Sequence, residues 1–332
     1  MREHPGRSLA LRSAWVAVGL AIGAVLIWLG VRKVDLAEVW DAVRASTWGW
    51  LLPALALLAV ANAIRSLRWQ MLFAAPGRPG LAPVTRALLV GLFFNSVLPL
   101  RAGEAARLLS LHRHTRVSRT EIAATVVIER IYDVAGLFVL LFIVLPWLPD
   151  VAWLATAAWV ALALAFAIAF VVALLVTRGA ATARLVLMPL RLFGISTERR
   201  ERATAGLVRG LAGFRDLRTG LVVASLTLVS WAVLALCSWL VTFAFDLDVP
   251  FDAGVLVLVA TGLAMIVPAP PAALGVFEAA AVAALGAYGF SVEEALPYAL
   301  VFHALNVLPY LAAGVVLLPG ETRLGQKLGS LP

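Results

Sequence analysis

Apolar positions in this chain do not alternate with polar ones. They run together in long blocks, and six of these are long enough to cross a bilayer: Ala14–Val31, Gly49–Leu67, Ile122–Leu148, Val151–Val176, Leu221–Phe245 and Leu296–Leu318. A hydrocarbon layer of about 30 Å needs roughly 20 helical residues at about 1.5 Å each. In lipid every backbone N–H and C=O must find an internal partner, which leaves only helices and closed barrels. The blocks lack the in–out alternation of a barrel strand, so they predict six spanning helices.

Two apolar stretches do not fit this scheme. Ala87–Leu100 is short for a crossing. Ala253–Phe290 is long enough for two helices but is interrupted by Pro268, Pro270 and Pro271. Proline lacks the N–H that a helix needs and clashes with the preceding turn, so this cluster must break the helix. Irregular backbone at membrane depth is tolerated only where it is buried in protein or lines a wet cavity.

Composition agrees: 62% of residues are hydrophobic and 14% charged, against about 45–50% and 25% in an ordinary soluble domain. The charges set the orientation. The net charge is +8, and Lys33 and Lys327 are the only lysines. Segments 1–13, 65–121 and 177–220 are basic, the last with nine arginines against Glu198, Glu201 and Asp216. Segment 146–150 has no cation, and 246–253 carries Asp246, Asp248 and Asp252. The positive-inside rule then puts both termini in the cytoplasm of a multi-pass cell-membrane protein. Ala14–Val31 is long and has no clear cleavage site, so it reads as a retained helix and not as a signal peptide.

With basic segments on both sides, Ala87–Leu100 reads as part of a re-entrant hairpin entering from the cytoplasm. With acidic flanks (Asp246–Asp252, and Glu293 with Glu294), Ala253–Phe290 reads as one entering from outside. The two hairpins resemble each other. Gly91-Leu leads through an apolar stretch to Pro99, then Gly103, then Glu104-Ala-Ala; Gly262-Leu leads to Pro268, Pro270 and Pro271, then Gly275, then Glu278-Ala-Ala. Pro99 and Pro271 are separated by about half the chain. Paired broken segments of opposite orientation point to an inverted repeat and a transport site near the midplane. The expected organisation is one transmembrane domain over 1–332, with half-repeats at about 49–176 and 220–318. Between them, about 178–219 reads as an amphipathic segment on the cytoplasmic membrane surface.

Several charges fall inside these apolar blocks. Glu129, Arg130 and Asp133 lie in the third crossing, with Asp133 about 11 residues or roughly 16 Å from its start. Each costs roughly 2.5–3.5 kcal/mol to insert, so all three must face protein or water. Glu129 and Asp133, four apart, share a helix face; Arg130 is one position round, and its partner is expected on another helix. Arg101, Glu104 and Arg107 follow the first hairpin at steps of three and predict a second charged face. Glu278 follows the second hairpin, and His303 and Asn306 lie three apart on the last crossing. Arg65, Arg68 and Trp69 read as an interfacial anchor, with lipid headgroup contact second. Two readings of the buried charges stay open. Arg101, Arg107 and Arg130 could hold a lipid phosphate by bidentate contacts with carboxylates orienting them, or all could be structural ion pairs that fix the hairpins.

The remaining motifs exclude more than they assign. There is no phosphate-binding Gly-x-x-x-x-Gly-Lys-Ser/Thr loop, no His-Glu-x-x-His and no Gly-x-Ser-x-Gly. His112 and His114 have no evident third ligand, and Cys237 is the only cysteine. No cofactor and no metal is therefore expected. The arginines lie between membrane blocks without groove-reading features, which argues against nucleic acid.

The assembled residues resemble a family. Asn95-Ser-Val-Leu-Pro99-Leu-Arg101-Ala-Gly103-Glu104-x-x-Arg107, then Glu129-Arg130-x-x-Asp133, then Pro-x-Pro with Leu-Gly275-x-x-Glu278, is similar to the membrane domain of lysylphosphatidylglycerol synthase/flippases. The resemblance covers almost the whole chain and implies an all-α polytopic translocase fold. It departs at Pro270-Pro271-Ala272-Ala273, where members often have a Gly-rich turn, and at His303, where they often carry Arg. Members that synthesise lysyl-lipid carry a large soluble catalytic domain after the membrane part. This chain ends soon after Leu318, so no synthase activity is expected. The expected function is transbilayer movement of a phospholipid or polyprenyl-phosphate lipid without an ATPase of its own. The expected site is Asn95, Arg101, Glu104, Arg107, Glu129, Arg130, Asp133, Glu278 and His303. Two alternatives stand beside it: a membrane transferase acting on polyprenyl-phosphate lipids, and a non-catalytic subunit that docks a synthase or glycosyltransferase through 178–218. Self-association into a homo-oligomer is compatible with each.

Overall fold

The computed structural model describes residues 36–73, 77–98, 101–151, 217–265 and 271–329, with scattered residues between 156 and 205. The expected crossing Ala14–Val31, most of Val151–Val176, and Pro99, Pro268 and Pro270 lie outside the described residues.

Among the described residues the regular structure is helical, with no strand. The helices are α1 (Leu36–Ala45), α2 (Leu51–Met71), α3 (Leu81–Val97), α4 (Gly103–His114), α5 (Arg119–Val144), α6 (Ala180–Val186), α7 (Leu217–Thr242), α8 (Phe251–Ala264), α9 (Val276–Gly286) and α10 (Val292–Gly329). Among the described residues three stretches are long and apolar enough to cross a membrane: Trp48–Met71, Arg218–Phe245 and Val292–Pro319. Only 28%, 33% and 22% of their most apolar windows are buried inside the protein. Side chains such as Leu52, Leu308, Val315 and Val316 are therefore left outward, an apolar surface that suits lipid and not water. The protein is integral to a membrane. At 26 residues, α5 is about 39 Å long; Glu129, Arg130 and Asp133 set it apart from those three. α1 forms where a connecting segment was expected, with Val39 buried.

Both proline-marked stretches are broken helices. α3 stops at Val97 and α4 starts at Gly103; α8 stops at Ala264 and α9 starts after a 3₁₀ turn, Pro271–Ala273. Among the described residues each break holds left-handed backbone: Arg101 (φ 55°) in the first, and Ala272 (φ 55°), Ala273 (φ 59°) and Gly275 (φ 81°) in the second. For a residue with a Cβ this costs roughly 1–2 kcal/mol, so something must hold these turns. By contrast, α10 runs on through Pro297, Pro309 and Pro319, as membrane helices tolerate when neighbouring groups satisfy the freed carbonyls.

The chain forms two compact units. One gathers the described residues of 1–58, 89–106 and 235–332, the other those of 59–88 and 107–234. In the first, α8 packs on α9 and α9 on α10, around Val255, Val257, Ala281, Leu285, Tyr298 and Phe302. Polar ties there are specific: Ser238 Oγ lies 2.8 Å from Tyr298 Oη, and the Trp239 indole donates to the Val249 carbonyl at 3.0 Å. Tyr288 donates to Asp252 and so fixes the turn after α9 to the start of α8. Burial, and then the Asp252 carboxylate, raise that phenol above its ordinary range. The second unit has an apolar cluster of Trp69, Phe73, Val84, Ala87, Leu111, Val117 and Ile122.

Candidate functional site

In the second unit five charged side chains form one alternating series. Arg107 donates to Glu129 Oε2. Glu129 Oε1 accepts from Arg68 Nη2 at 2.9 Å. Arg68 Nη1 donates to Asp133 Oδ1 at 2.7 Å, and Asp133 Oδ2 accepts from Arg130 Nη1 at 3.1 Å. Each carboxylate thus spends its two oxygens on two different guanidinium groups. α5 makes this possible because Glu129 and Asp133, one turn apart, project from the same face. α2 supplies Arg68 and α4 supplies Arg107.

The centre of the series is sealed. The side chains of Arg68 and Glu129 are 0% exposed, and that of Asp133 is 6% exposed. Arg68 Nη1 also donates to Thr227 Oγ1 on α7 at 3.1 Å. The Arg107 guanidinium lies 3.5 Å from the Trp69 ring centroid, a favourable cation–π placement. The Trp69 indole in turn donates to Thr125 Oγ1 at 3.1 Å. Beside the series, the buried donors Arg68 Nε and Trp231 Nε1 have no acceptor among the described residues. Three guanidinium groups alternate with two carboxylates among these five side chains, so the series begins and ends on an arginine. Its Arg130 end is open, with that side chain 35% exposed.

The structure corrects two expectations. Arg68 and Trp69 are not an interfacial anchor: both are fully buried, and Arg68 is the hub of the series. Arg130 pairs with Asp133 on its own helix. Arg101, Glu104 and Arg107 do not form one helical face. Arg101 lies before α4, in the left-handed turn, and donates to the Met265 carbonyl. The missed hub carried a signal. Two buried acids on α5 need two cations, and Arg130 is only one.

The remaining predicted residues lie at the hairpin breaks of the first unit. Asn95 Oδ1 accepts from the Gly103 amide at 2.9 Å. A Cβ on Gly103 would come 2.0 Å from the Gly91 carbonyl oxygen, so α3 and α4 meet there only because residue 103 has none. Glu278 Oε2 accepts from the Gly275 amide at 2.8 Å. In both hairpins, therefore, a side-chain oxygen holds the amide of the glycine that starts the second limb. Glu278 Oε1 meets His303 Nδ1 at 2.6 Å, and His303 Nε2 meets the Ala272 carbonyl at 2.8 Å. The ring of Phe277 stacks on His303 at 4.5 Å. Asn306 donates to the Phe302 carbonyl. Among the described residues no group of His, Cys, Asp and Glu is arranged to hold a metal ion.

This architecture agrees with comparisons to known proteins. The family described as the lysylphosphatidylglycerol synthase TM region matches residues 16–314. The chain belongs to this family. A UPF0104 membrane protein of Methanothermobacter thermautotrophicus (strain Delta H) is 24% identical over 288 residues, covering 78% of each chain. Membership in a synthase TM-region family concerns the membrane part, and both the charge series and the two broken hairpins lie within the matched residues.

Proposed function

We propose that this protein moves a lipid with a phosphate-containing headgroup across the cell membrane, without an ATPase of its own. The reading includes six crossings, two re-entrant hairpins and cytoplasmic termini. One observation carries it: the buried series Arg107–Glu129–Arg68–Asp133–Arg130 begins and ends on guanidinium groups, and its Arg130 end is partly exposed. Buried charge among apolar helices is tolerated only where it is paired or reaches water, and an anionic headgroup is a partner that the exposed guanidinium end can take. A phosphate suits this role, since guanidinium groups bind phosphate oxygens through paired N–H donors. The headgroup engages at the open Arg130 end, while Glu129 and Asp133 fix the guanidinium planes. The acyl chains stay in the lipid along the exposed apolar faces.

The test is leaflet exchange in proteoliposomes of phosphatidylglycerol and phosphatidylcholine carrying a headgroup-labelled phospholipid. The wild-type protein is expected to speed exchange over empty vesicles. Arg130→Gln is expected to slow it about tenfold or more, the equivalent of one lost charge-assisted hydrogen bond of about 1.5–3 kcal/mol. A well-folded Arg130→Gln protein with the wild-type rate would remove the headgroup from this site.

A further inference from the structure

The contact between Glu278, His303 and Ala272 has a proton count that does not balance for a neutral imidazole beside an ionised carboxylate. A neutral ring carries one N–H and can donate once. Here both ring nitrogens face acceptors: Nδ1 meets Glu278 Oε1 at 2.6 Å and Nε2 meets the Ala272 carbonyl at 2.8 Å. The carbonyl can only accept. Glu278 is already an acceptor on its other oxygen, where the Gly275 amide donates at 2.8 Å. One extra proton satisfies every contact: an imidazolium that donates to the carboxylate and to the carbonyl.

That proton sits where the backbone most needs restraint. Ala272 and Ala273 are consecutive left-handed alanines, in the break that joins α8 to α9. The His303 N–H on the Ala272 carbonyl, and the Glu278 carboxylate on the Gly275 amide, hold the two ends of this turn. If Nε2 loses its proton, its lone pair faces the carbonyl lone pairs, the attraction becomes repulsion, and one end is released.

No other ionisable group meets the pair among the described residues. On α8, Asp252 is held by Tyr288. On α10, Glu294 accepts from the Ser291 amide and Tyr298 pairs with Ser238. On α1, which packs on α10, Arg44 lies over Trp40. Arg101 of the first hairpin donates to Met265. The pair is also shielded, with side chains 6% and 12% exposed and Phe277 stacked on the imidazole.

We propose that Glu278 and His303 form a proton-binding site that latches the second hairpin when loaded and frees the Ala272–Ala273 turn when the proton leaves to water. This goes beyond the headgroup reading and does not rest on it, because the Arg68 series contributes no atom to the latch.

The experiment uses the full chain in lipid nanodiscs and reads proton and hairpin separately. Of the four histidines, His4, His112 and His114 are replaced by Gln, leaving His303 as the single ¹⁵N-labelled imidazole. Nitrogen NMR is followed across roughly pH 5 to 8, the range of histidine switches. Both ring nitrogens are expected to be protonated at the acid end, with one proton lost as pH rises. Hydrogen–deuterium exchange of residues 271–279, corrected for intrinsic rates, is expected to rise in the same interval. The rise is about tenfold per pH unit while the loaded form dominates. Glu278→Gln and His303→Gln should abolish this coupling, and His303→Arg should keep the segment protected throughout. Wild type and Glu278→Gln decide the matter if His303→Arg does not fold. A ring that titrates without a change in exchange overturns the proposal. So does a ring that is never doubly protonated, or one that stays doubly protonated with flat exchange.

Discussion

A guanidinium that bridges two buried carboxylates has no conservative replacement. Arg68 uses Nη1 for Asp133 and Nη2 for Glu129, and its side chain is 0% exposed. Arg68→Leu leaves two carboxylates with one cation each, and breaking a buried pair costs about 3–5 kcal/mol. Arg68→Lys is expected to recover only part of this, because one ammonium cannot present two planar prongs to two acceptors. Thermal unfolding of the purified variants checks the order wild type, Lys, Leu; a lysine variant as stable as wild type would contradict the two-pronged role. Some of this centre is legible in the sequence. Glu129 and Asp133 share a face by spacing alone, and their cost in lipid marks them as paired. Arg68 is not legible in the same way. It follows a long apolar run, where hydropathy ends the span at Leu67 and reads the arginine as an anchor, whereas the helix continues to Met71. Pairing across helices decides its role, and a one-dimensional pattern contains no such pairing.

Two helices approach closely only where their side chains permit it. At the first hairpin a Cβ on residue 103 would sit 2.0 Å from the Gly91 oxygen and 2.4 Å from Asn95 Oδ1. Gly103→Ala therefore pushes α4 from α3 and disturbs the hydrogen bond that holds the turn, with an expected loss of about 1–3 kcal/mol. Gly286, at the end of α9, meets nothing within 4 Å. Gly286→Ala is expected to be neutral or stabilising by up to about 1 kcal/mol, because alanine is the better helix former. Unfolding in denaturant, with both variants made in one background, tests the contrast. At this scale the sequence shows where helices break but not how the breaks are held. Proline marks both. The left-handed turn at Arg101 is invisible to a spacing argument that assumes a helix through 101, 104 and 107. α1 is not legible because segment 32–48 sets Arg32, Lys33 and Arg44 against Asp35, Glu38 and Asp41, and a short charge-balanced stretch reads as a connecting segment.

For the whole molecule, the asymmetry of charge makes the strongest claim. The exposed segments around Arg116 and Asp248 carry opposite signs: His112, Arg113, His114 and Arg116 near one, Asp246, Asp248 and Asp252 near the other. Arginine-rich segments stay on the cytoplasmic side because moving them across is opposed, while acidic residues contribute little to the choice. Single cysteines test this directly. The one native thiol, Cys237, is buried and reaches the Ala54 carbonyl at 3.2 Å, so it stays silent to a membrane-impermeant maleimide. Arg116→Cys and Asp248→Cys both fall at exposed positions. In intact cells Asp248→Cys is expected to react and Arg116→Cys to react only after the membrane is opened. The reverse result would invert the orientation and exchange the entry sides assigned to the two hairpins. Labelling of both in intact cells would mean mixed insertion, and labelling of neither would place residue 248 on the cytoplasmic side with residue 116. Either outcome breaks the reading that the first hairpin enters from the cytoplasm and the second from outside. The charge pattern therefore stakes the inverted arrangement on two exposed residues that belong neither to the Arg68 series nor to the Glu278–His303 pair.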